Sequence, residues 1–213
     1  MSPSRAIVAG ASGLTGRQLM SVLGEDPFYQ DVRALRRQDN LAALHAGQIP
    51  GATHVFCCLG TTLAKAGSRD AFREVDFDYV VRLARAGREA GAARMMVVSS
   101  VGAGPASANF YLRVKGEMEQ ALAALGFDAL HIFRPSFLMR KREETRRGEA
   151  LGLHLARAVG WMLAGSLSKY RPMPARVLAQ AMAAAGRSRL EGRHIHHYDE
   201  IVRLATAATP PLS

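Results

Sequence analysis

Short apolar runs alternate with longer segments of helical period along most of the chain. The apolar runs predict strands near 5–10, 31–35, 53–59, 94–99, 127–133 and 194–198, and the periodic segments predict helices near 14–24, 70–90, 109–125, 150–164, 174–185 and 199–208. The run Met95-Met96-Val97-Val98 has no polar alternation, which is typical of a parallel strand covered on both faces. We therefore predict an α/β fold with a doubly wound parallel sheet, whose ligands bind at the carboxyl ends of the strands.

The length and composition fit one globular domain over residues 1–213. The chain has 213 residues, 48% of them hydrophobic, which suffices for one α/β domain and is short for two. No stretch approaches the roughly 20 apolar residues that a membrane span needs, and the first residues lack the apolar core of a signal peptide. Cys57 and Cys58 are neighbours on a predicted strand and point to opposite faces, so we expect free thiols. These features predict a cytoplasmic protein without a membrane span.

A glycine-rich turn, Gly10-Ala-Ser-Gly-Leu-Thr-Gly-Arg17, follows the first predicted strand and opens the first predicted helix. Glycines let the backbone approach a pyrophosphate, and a helix N-terminus offers unpaired N–H groups with a partial positive charge. The last glycine also permits close packing of the helix on the strand. The turn predicts a dinucleotide site, with an ordinary strand–turn–helix as the alternative. The candidate cofactor-binding residues are Gly10, Ser12, Gly13, Leu14, Thr15, Gly16 and Arg17.

Two arginines, Arg36 and Arg37, end the second predicted strand, where NAD-selective folds usually have an acidic residue. Guanidinium groups suit a 2′-phosphate by charge and by their forked geometry, and Arg17 is close enough along the turn to reach the same phosphate. We therefore predict NADP(H) as the cofactor. The alternative is that Arg36 and Arg37 belong to a solvated loop.

Tyr111 and Lys115 are four residues apart on a predicted helix and so share one face. An ammonium beside a phenol stabilises the phenolate, which lets tyrosine exchange a proton near neutral pH. Ser99 and Ser100 end the preceding strand, where a hydroxyl can hold a substrate oxygen. These four residues are the candidate catalytic group, and their spacing does not choose between the two serines. The alternative is that Tyr111 is an ordinary core or surface aromatic residue.

Several motifs in order resemble the atypical short-chain dehydrogenases/reductases, an NmrA-like family with a Rossmann fold that binds NAD(P). Within that family the resemblance is to the Tat-interacting-protein oxidoreductase branch and its bacterial relatives, and it spans about residues 5–140. The motifs are the glycine turn, Cys57–Thr62 with Lys65–Gly67, Val75-Asp76, Ser99-Ser100, Tyr111 and Lys115 with Glu117, and Arg134-Pro135.

The resemblance implies roles for individual residues. Gly10, Gly13 and Gly16 would bind the pyrophosphate, and Arg36 and Arg37 the adenosine phosphate. Leu59, Gly60 and Thr61 would flank the cofactor, Pro135 and Ser136 would lie near the nicotinamide, and Tyr111 and Lys115 would form the reductase pair. Gly60 suits this role independently, since a glycine at the end of an apolar strand allows close approach to a ligand.

The predicted function is an NADP(H)-dependent oxidoreductase that transfers hydride between the nicotinamide and a small carbonyl or alcohol substrate. One alternative is a regulatory protein that senses NADPH with little or no turnover. Another is an epimerase or dehydratase of the sugar-nucleotide type, which uses the same Tyr–Lys pair and retains its cofactor. The fold does not choose among these functions.

The segment between Arg37 and His54 departs from the family pattern, because its 16 residues leave little room for another strand and helix. Leu41–Ala46 predicts a short helix there. We therefore expect a sheet that lacks or shortens the usual third strand, and a paired strand within 38–50 would contradict this.

The region 136–190 is predicted to form the substrate side of the domain. It includes Arg140–Arg147, interpreted as a lid or as a site for an acidic substrate or macromolecular partner, and an apolar stripe within 151–162 that fits core or a homodimer contact. The formal net charge of +10 comes mostly from scattered arginines, so nucleic acid is not expected as a partner. His194, His196 and His197 have no carboxylate at metal-ligand spacing, and no metal site is predicted.

Overall fold

A computed structural model of the protein describes residues 4–35, 39–139 and 169–207. In these residues six parallel strands form one sheet, whose order from one edge to the other is 29–35, 4–9, 54–57, 94–98, 129–133 and 192–196. Arg36 and Arg37, the charged segment Arg140–Arg147, the predicted helix over 150–164 and the apolar stripe lie outside the described residues. The α/β fold with a parallel sheet is confirmed.

The main sheet consists of β1 (Ser4–Ala9), β2 (Tyr29–Leu35), β3 (His54–Cys57), β4 (Arg94–Val98), β5 (Ala129–Phe133) and β8 (Gly192–His196). A second, two-stranded parallel sheet joins β6 (Leu138–Met139) to β7 (Met173–Pro174). The described helices are α1 (Leu14–Gly24), α2 (Leu63–Ala66), α3 (Arg69–Arg73), α4 (Tyr79–Glu89), α5 (Phe110–Ala123), α6 (Ala175–Arg187) and α7 (Tyr198–Ala207).

Helices cover both faces of the main sheet. Ile7, Val55 and Met95 belong to the core cluster that includes residues of α4 and α5, whereas the neighbouring Val8 and Phe56 belong to the cluster that includes residues of α1, α6 and α7. Successive side chains of a strand point to opposite faces, so both must be apolar when both faces are covered. This explains why the central strands show no polar alternation in the sequence.

Within the described residues, the sheet has no strand between β2 and β3 in the chain, as predicted. The described residues 39–50 form two short 3-10 turns, Leu41–Ala43 and Ala46–Gln48, in place of the single short helix that was predicted. Leu44 and Ile49 anchor these turns by burying their side chains in the core on the α4 side of the sheet. Consequently β2 is an edge strand of the sheet.

The predicted helix over 70–90 contains an interruption that the sequence pattern did not predict. Between α3 and α4 the residues Glu74–Asp78 form a π-turn, in which the backbone hydrogen bond spans one more residue than in an α-helix. The strand predicted over 53–59 is also shorter, because the backbone leaves the sheet after Cys57. No helix in the described part of the chain is long and apolar enough to cross a membrane.

Candidate active site

The predicted site residues that the structure describes lie along the carboxyl edge of the main sheet and on the helices α1 and α5. Backbone hydrogen bonds tie the segments that leave adjacent strands: Cys58 N donates to Ala9 O at 2.9 Å, and Val101 N donates to Pro135 O at 3.0 Å. The segments that follow β1, β3, β4 and β5 are therefore held side by side. In an open parallel sheet this edge is where ligands bind.

The conformation of the glycine turn depends on the lack of Cβ atoms at its glycines. Gly10 has a φ of +78°, and a Cβ atom there would lie 2.6 Å from the Cys58 carbonyl carbon. A Cβ on Gly16 would lie 2.1 Å from the Gly10 carbonyl oxygen, whereas one on Gly13 would lie 3.2 Å from the same atom. Gly10 and Gly16 are thus required by packing, and Gly13 only mildly so.

The start of α1 fits a bound anion. Gly13 is the N-cap residue, and no side chain caps the helix. The buried Thr15 hydroxyl has no hydrogen-bond partner among the described residues. Uncapped N–H groups and an unsatisfied hydroxyl at a helix N-terminus match the needs of a phosphate. Ser12 and Arg17 are exposed beside them, and Leu14 is half-buried.

Lys115 approaches the carboxyl edge from α5 and is paired there. Its Nζ lies 2.8 Å from Asp76 Oδ1, and the two side chains are only 4% and 0% exposed. The other carboxylate oxygen of Asp76 accepts a hydrogen bond of 2.8 Å from the Thr61 backbone N–H. A buried ion pair of this kind links α5, the π-turn and the segment after β3.

Tyr111 stands one turn before Lys115 on α5, whose N-cap is Asn109. Its ring centroid lies 5.6 Å from that of the buried Phe72, and the residue itself is half-buried. The phenol oxygen has no hydrogen-bond partner among the described residues.

Glu119 is a buried residue of this region that the sequence analysis missed. It lies four residues after Lys115 on the same face of α5, accepts a hydrogen bond of 2.5 Å from the Ser99 hydroxyl, and binds the Arg134 guanidinium through both carboxylate oxygens. The i, i+4 spacing from Lys115 was the available signal, but the motif drew attention to Glu117 instead. Glu117 forms an ion pair with Arg73 and is more exposed.

The two serines after β4 differ in their surroundings. The Ser99 hydroxyl is committed to Glu119, whereas the Ser100 hydroxyl has only a long contact of 3.4 Å with the Val101 carbonyl oxygen. The Ser136 hydroxyl, after β5, donates to the Arg171 carbonyl oxygen. Of these three hydroxyls, that of Ser100 therefore has the weakest hydrogen bond within the described residues.

Three histidines, His54, His131 and His196, are buried in the core. His131 on β5 and His196 on β8 stack at 5.2 Å and share a hydrogen bond of 2.9 Å. Burial, followed by the neighbouring histidines, lowers the pKa of His131 to about 3 and that of His196 to about 4. The described residues contain no group of histidine, cysteine or acidic side chains that could hold a metal ion.

Cys57 and Cys58 come directly before the segment Leu59–Thr61, and both thiols are free, as expected. Burial raises the pKa of the Cys57 thiol to about 11 and raises that of Cys58 further. Both thiols are therefore protonated at neutral pH, which makes them poor nucleophiles.

Known proteins resemble this chain in sequence and in fold. The chain is 36% identical over 173 residues to Protein HTATIP2 of Rattus norvegicus, covering 71% of this chain and 69% of that protein. It is 33% identical over 204 residues to Protein fmp52, mitochondrial, of Aspergillus clavatus, covering 86% and 87%. A dTDP-4-dehydrorhamnose reductase from Bacillus anthracis, solved in complex with NADP, has a similar fold, with a TM-score of 0.65 and 16% identity over 98% of this chain and 82% of that one. No protein-family model matches the chain.

The comparison corrects the predicted location. FMP52 relatives from several fungi, among them Coccidioides immitis and Candida albicans, are named as mitochondrial proteins. The prediction of a cytoplasmic protein is therefore wrong. It depended on the missing apolar core of a signal peptide, and that feature distinguishes secreted proteins rather than proteins of different internal compartments.

Proposed function

The chain belongs to the HTATIP2 and FMP52 family, an NmrA-like branch of the atypical short-chain dehydrogenases/reductases, and we propose that it is an NADP(H)-dependent oxidoreductase acting on a carbonyl or alcohol substrate. The observation that supports the proposal is the position of α5: this helix carries Tyr111, and it brings the buried Lys115 to the sheet edge that also holds the glycine turn. A proton-exchanging pair beside a phosphate-binding turn is the arrangement that such a reaction needs.

The residues that would hold the dinucleotide fit its chemistry. Gly10, Gly13 and Gly16 would shape the turn that receives the pyrophosphate, and the uncapped N-terminus of α1 would offer donors to it. Leu59–Thr61 would pass beside the cofactor, and Pro135 and Ser136 would lie near the nicotinamide. Bound in this place, the nicotinamide ring supplies or accepts the hydride.

The preference for NADP(H) rests on charge. Arg36 and Arg37 lie outside the described residues, and their proposed contact with a 2′-phosphate comes from the sequence pattern. Arg17 is exposed at the start of α1, on the side of the turn that faces solvent. Guanidinium groups with no acidic residue at the end of β2 favour a phosphorylated ribose over two free hydroxyls.

In the proposed reduction the substrate carbonyl carbon receives the hydride and its oxygen receives a proton from the Tyr111 hydroxyl, which yields an alcohol. Lys115 would contact the nicotinamide ribose and stabilise the tyrosinate left behind. Ser100 would donate a hydrogen bond to the substrate oxygen, while Ser99 would support the site through Glu119. The substrate side is proposed to lie in 136–190.

Calorimetric titration tests the cofactor first. Wild type should bind NADPH more tightly than NADH, and Arg36→Ala/Arg37→Ala should weaken NADPH binding with little change for NADH. Equal affinity for both nucleotides would reject the NADP(H) assignment. Absence of binding would reject the enzyme proposal altogether.

A substitution of the phenol tests the chemistry. Tyr111→Phe should lower turnover of any active carbonyl compound by about 10²–10⁴-fold, because it removes the proton donor, while NADPH affinity is retained. Tyr79→Phe is the matched control, since Tyr79 lies on α4 with its hydroxyl bonded to Glu74. Tight NADPH binding without turnover of a broad carbonyl panel would favour a regulatory, NADPH-sensing protein. NADP that copurifies and does not exchange would favour an epimerase or dehydratase.

A further inference from the structure

We propose that Asp76 is a positioning residue of the active site, which holds the Lys115 ammonium in place by bridging it to the backbone of Thr61. The proposal rests on the proposed function, in which Lys115 contacts the nicotinamide ribose. The bridge uses both carboxylate oxygens: Oδ1 lies 2.8 Å from Lys115 Nζ, and Oδ2 accepts the Thr61 N–H at 2.8 Å. One side chain thereby ties the proton-exchanging helix α5 to the segment that would flank the cofactor.

The π-turn brings Asp76 to this position. Asp76 is the central residue of Glu74–Asp78, and it is fully buried while Glu74 and Asp78 on either side of it are exposed. A π-turn inserts one extra residue into a helix, so it rotates the side chains that follow relative to a regular helix. Such turns occur frequently at functional sites, and here the turn directs one carboxylate inwards.

The burial of the pair makes each charge dependent on the other. The two side chains are 0% and 4% exposed, so neither Asp76 nor Lys115 has water to replace its counter-ion. The segment Gly60-Thr61 passes directly over them, and a Cβ on Gly60 would lie 3.5 Å from Asp76 Oδ1 and 3.9 Å from Lys115 Nζ. The Lys115 ammonium is therefore held against Gly60-Thr61. The side chain cannot adopt another rotamer without leaving the Asp76 carboxylate unpaired.

If the ion pair were purely structural, it would stabilise the fold without affecting the binding of one part of the cofactor more than another. A positioning residue that acts through Lys115 would selectively affect the binding of the nicotinamide ribose. Two ligands separate these roles. NADP⁺ contains the nicotinamide ribose, whereas adenosine 2′,5′-bisphosphate contains the adenosine phosphates without it.

The first test compares Asp76→Asn with wild type by calorimetry. Asn keeps the shape and an oxygen that accepts the Thr61 N–H, but it removes the charge opposite Lys115. We expect the Kd for NADP⁺ to rise by about tenfold, since a charge-assisted contact is lost, and the Kd for adenosine 2′,5′-bisphosphate to change by less than about twofold. Asp78→Asn, an exposed carboxylate in the same π-turn, is the matched control and should leave both values unchanged.

The second test removes the residue through which Asp76 acts. Lys115→Met should weaken NADP⁺ binding, and adding Asp76→Asn to it should cause no further loss, because Asp76 then has no ammonium to position. The double variant contains neither buried charge, so its NADP⁺ affinity can still be compared with that of Lys115→Met if Asp76→Asn alone does not fold.

Three results would overturn the proposal: unchanged NADP⁺ affinity in folded Asp76→Asn, an equal loss for both ligands, or a further loss of threefold or more in the Lys115→Met background. Binding is the measurement throughout, so the outcome is independent of turnover. If wild type binds NADP⁺ but reduces no carbonyl compound, the oxidoreductase proposal fails while the role of Asp76 stands.

Discussion

Ser99 and Ser100 are neighbours in the chain, yet their hydroxyls have different surroundings. Ser99 donates to the buried Glu119, whose carboxylate also binds Arg134, so this hydroxyl helps to satisfy a charge in the core. Ser100 has no comparable bond. The sequence places both serines at the end of one strand and cannot distinguish them, because the difference arises from a residue twenty positions away on α5.

The two serines should therefore respond differently to alanine substitution. Ser100→Ala should lower kcat/KM by about 10²-fold with little change in the free energy of unfolding, because it removes a donor to the substrate oxygen. Ser99→Ala should lower the free energy of unfolding by about 1–3 kcal/mol, because Glu119 loses a buried hydrogen bond. Urea unfolding and steady-state kinetics on the same preparations measure both effects. A stable Ser99→Ala protein that has lost turnover would reverse the assignment.

At the scale of elements, α1 and its glycine turn offer a matched pair of substitutions. Gly16→Ala should lower the free energy of unfolding by about 1–3 kcal/mol and abolish nucleotide binding, because its Cβ would lie 2.1 Å from the Gly10 carbonyl oxygen and the turn must move. Gly24→Ala, at the other end of α1, meets nothing within 4 Å and should be neutral or stabilising by up to about 1 kcal/mol. Thermal unfolding with and without NADPH measures both, and a fully functional Gly16→Ala protein would show that the turn is more adaptable than its geometry implies.

The elements of this fold differ in how far the sequence predicts them. The central strands and α1 were predicted within a few residues, because a strand buried on both faces and a helix that follows a glycine turn leave strong local patterns. The absence of the usual third strand was predicted from the short length of the segment between Arg37 and His54. The π-turn and the two-residue strands β6 and β7 leave no such pattern, because a bulge in a helix and a pairing of two residues depend on tertiary contacts.

The site shows the same division. The glycine turn, Tyr111 and Lys115 follow from local spacing, since their chemistry depends on residues within one helical turn of each other. Asp76 was noticed only as part of a motif and Glu119 not at all, because their partners are distant in the chain. The ion pairs Lys115–Asp76 and Glu119–Arg134 join different elements, so they depend on the tertiary fold rather than on local sequence.

For the whole molecule, three buried histidines make stability sensitive to mild acid. Burial lowers the pKa of His54 and of His196 to about 4 and that of His131 to about 3, and nearby Arg94 contributes at His54 and His131. The contact of 3.1 Å between His54 Nε2 and the Gly186 carbonyl oxygen raises the pKa of this ring and so opposes part of the effect of burial. In the unfolded chain these rings take up a proton near pH 6.5, while in the folded protein they do not.

The sign of the effect follows from this difference in proton uptake. The stabilisation is fully present above about pH 6.5, and it declines as the pH falls from 6.5 towards 4, by about 1.4 kcal/mol per pH unit for each histidine. Between pH 7.5 and 5.5 the free energy of unfolding should thus fall by about 4 kcal/mol, before the carboxylates begin to titrate. Urea unfolding at pH 7.5, 6.5 and 5.5 measures this loss.

Replacement of one histidine at a time assigns the loss to the buried rings. His54→Gln keeps a group that can bond to the Gly186 carbonyl oxygen but does not titrate, so it should remove about a third of the pH dependence even though it lowers stability at pH 7.5. His45→Gln, an exposed position in the 3-10 region, should leave the pH dependence unchanged. If His54→Gln retains the full slope, the acid sensitivity arises outside β3, and the histidine pair between β5 and β8 becomes the place to substitute next.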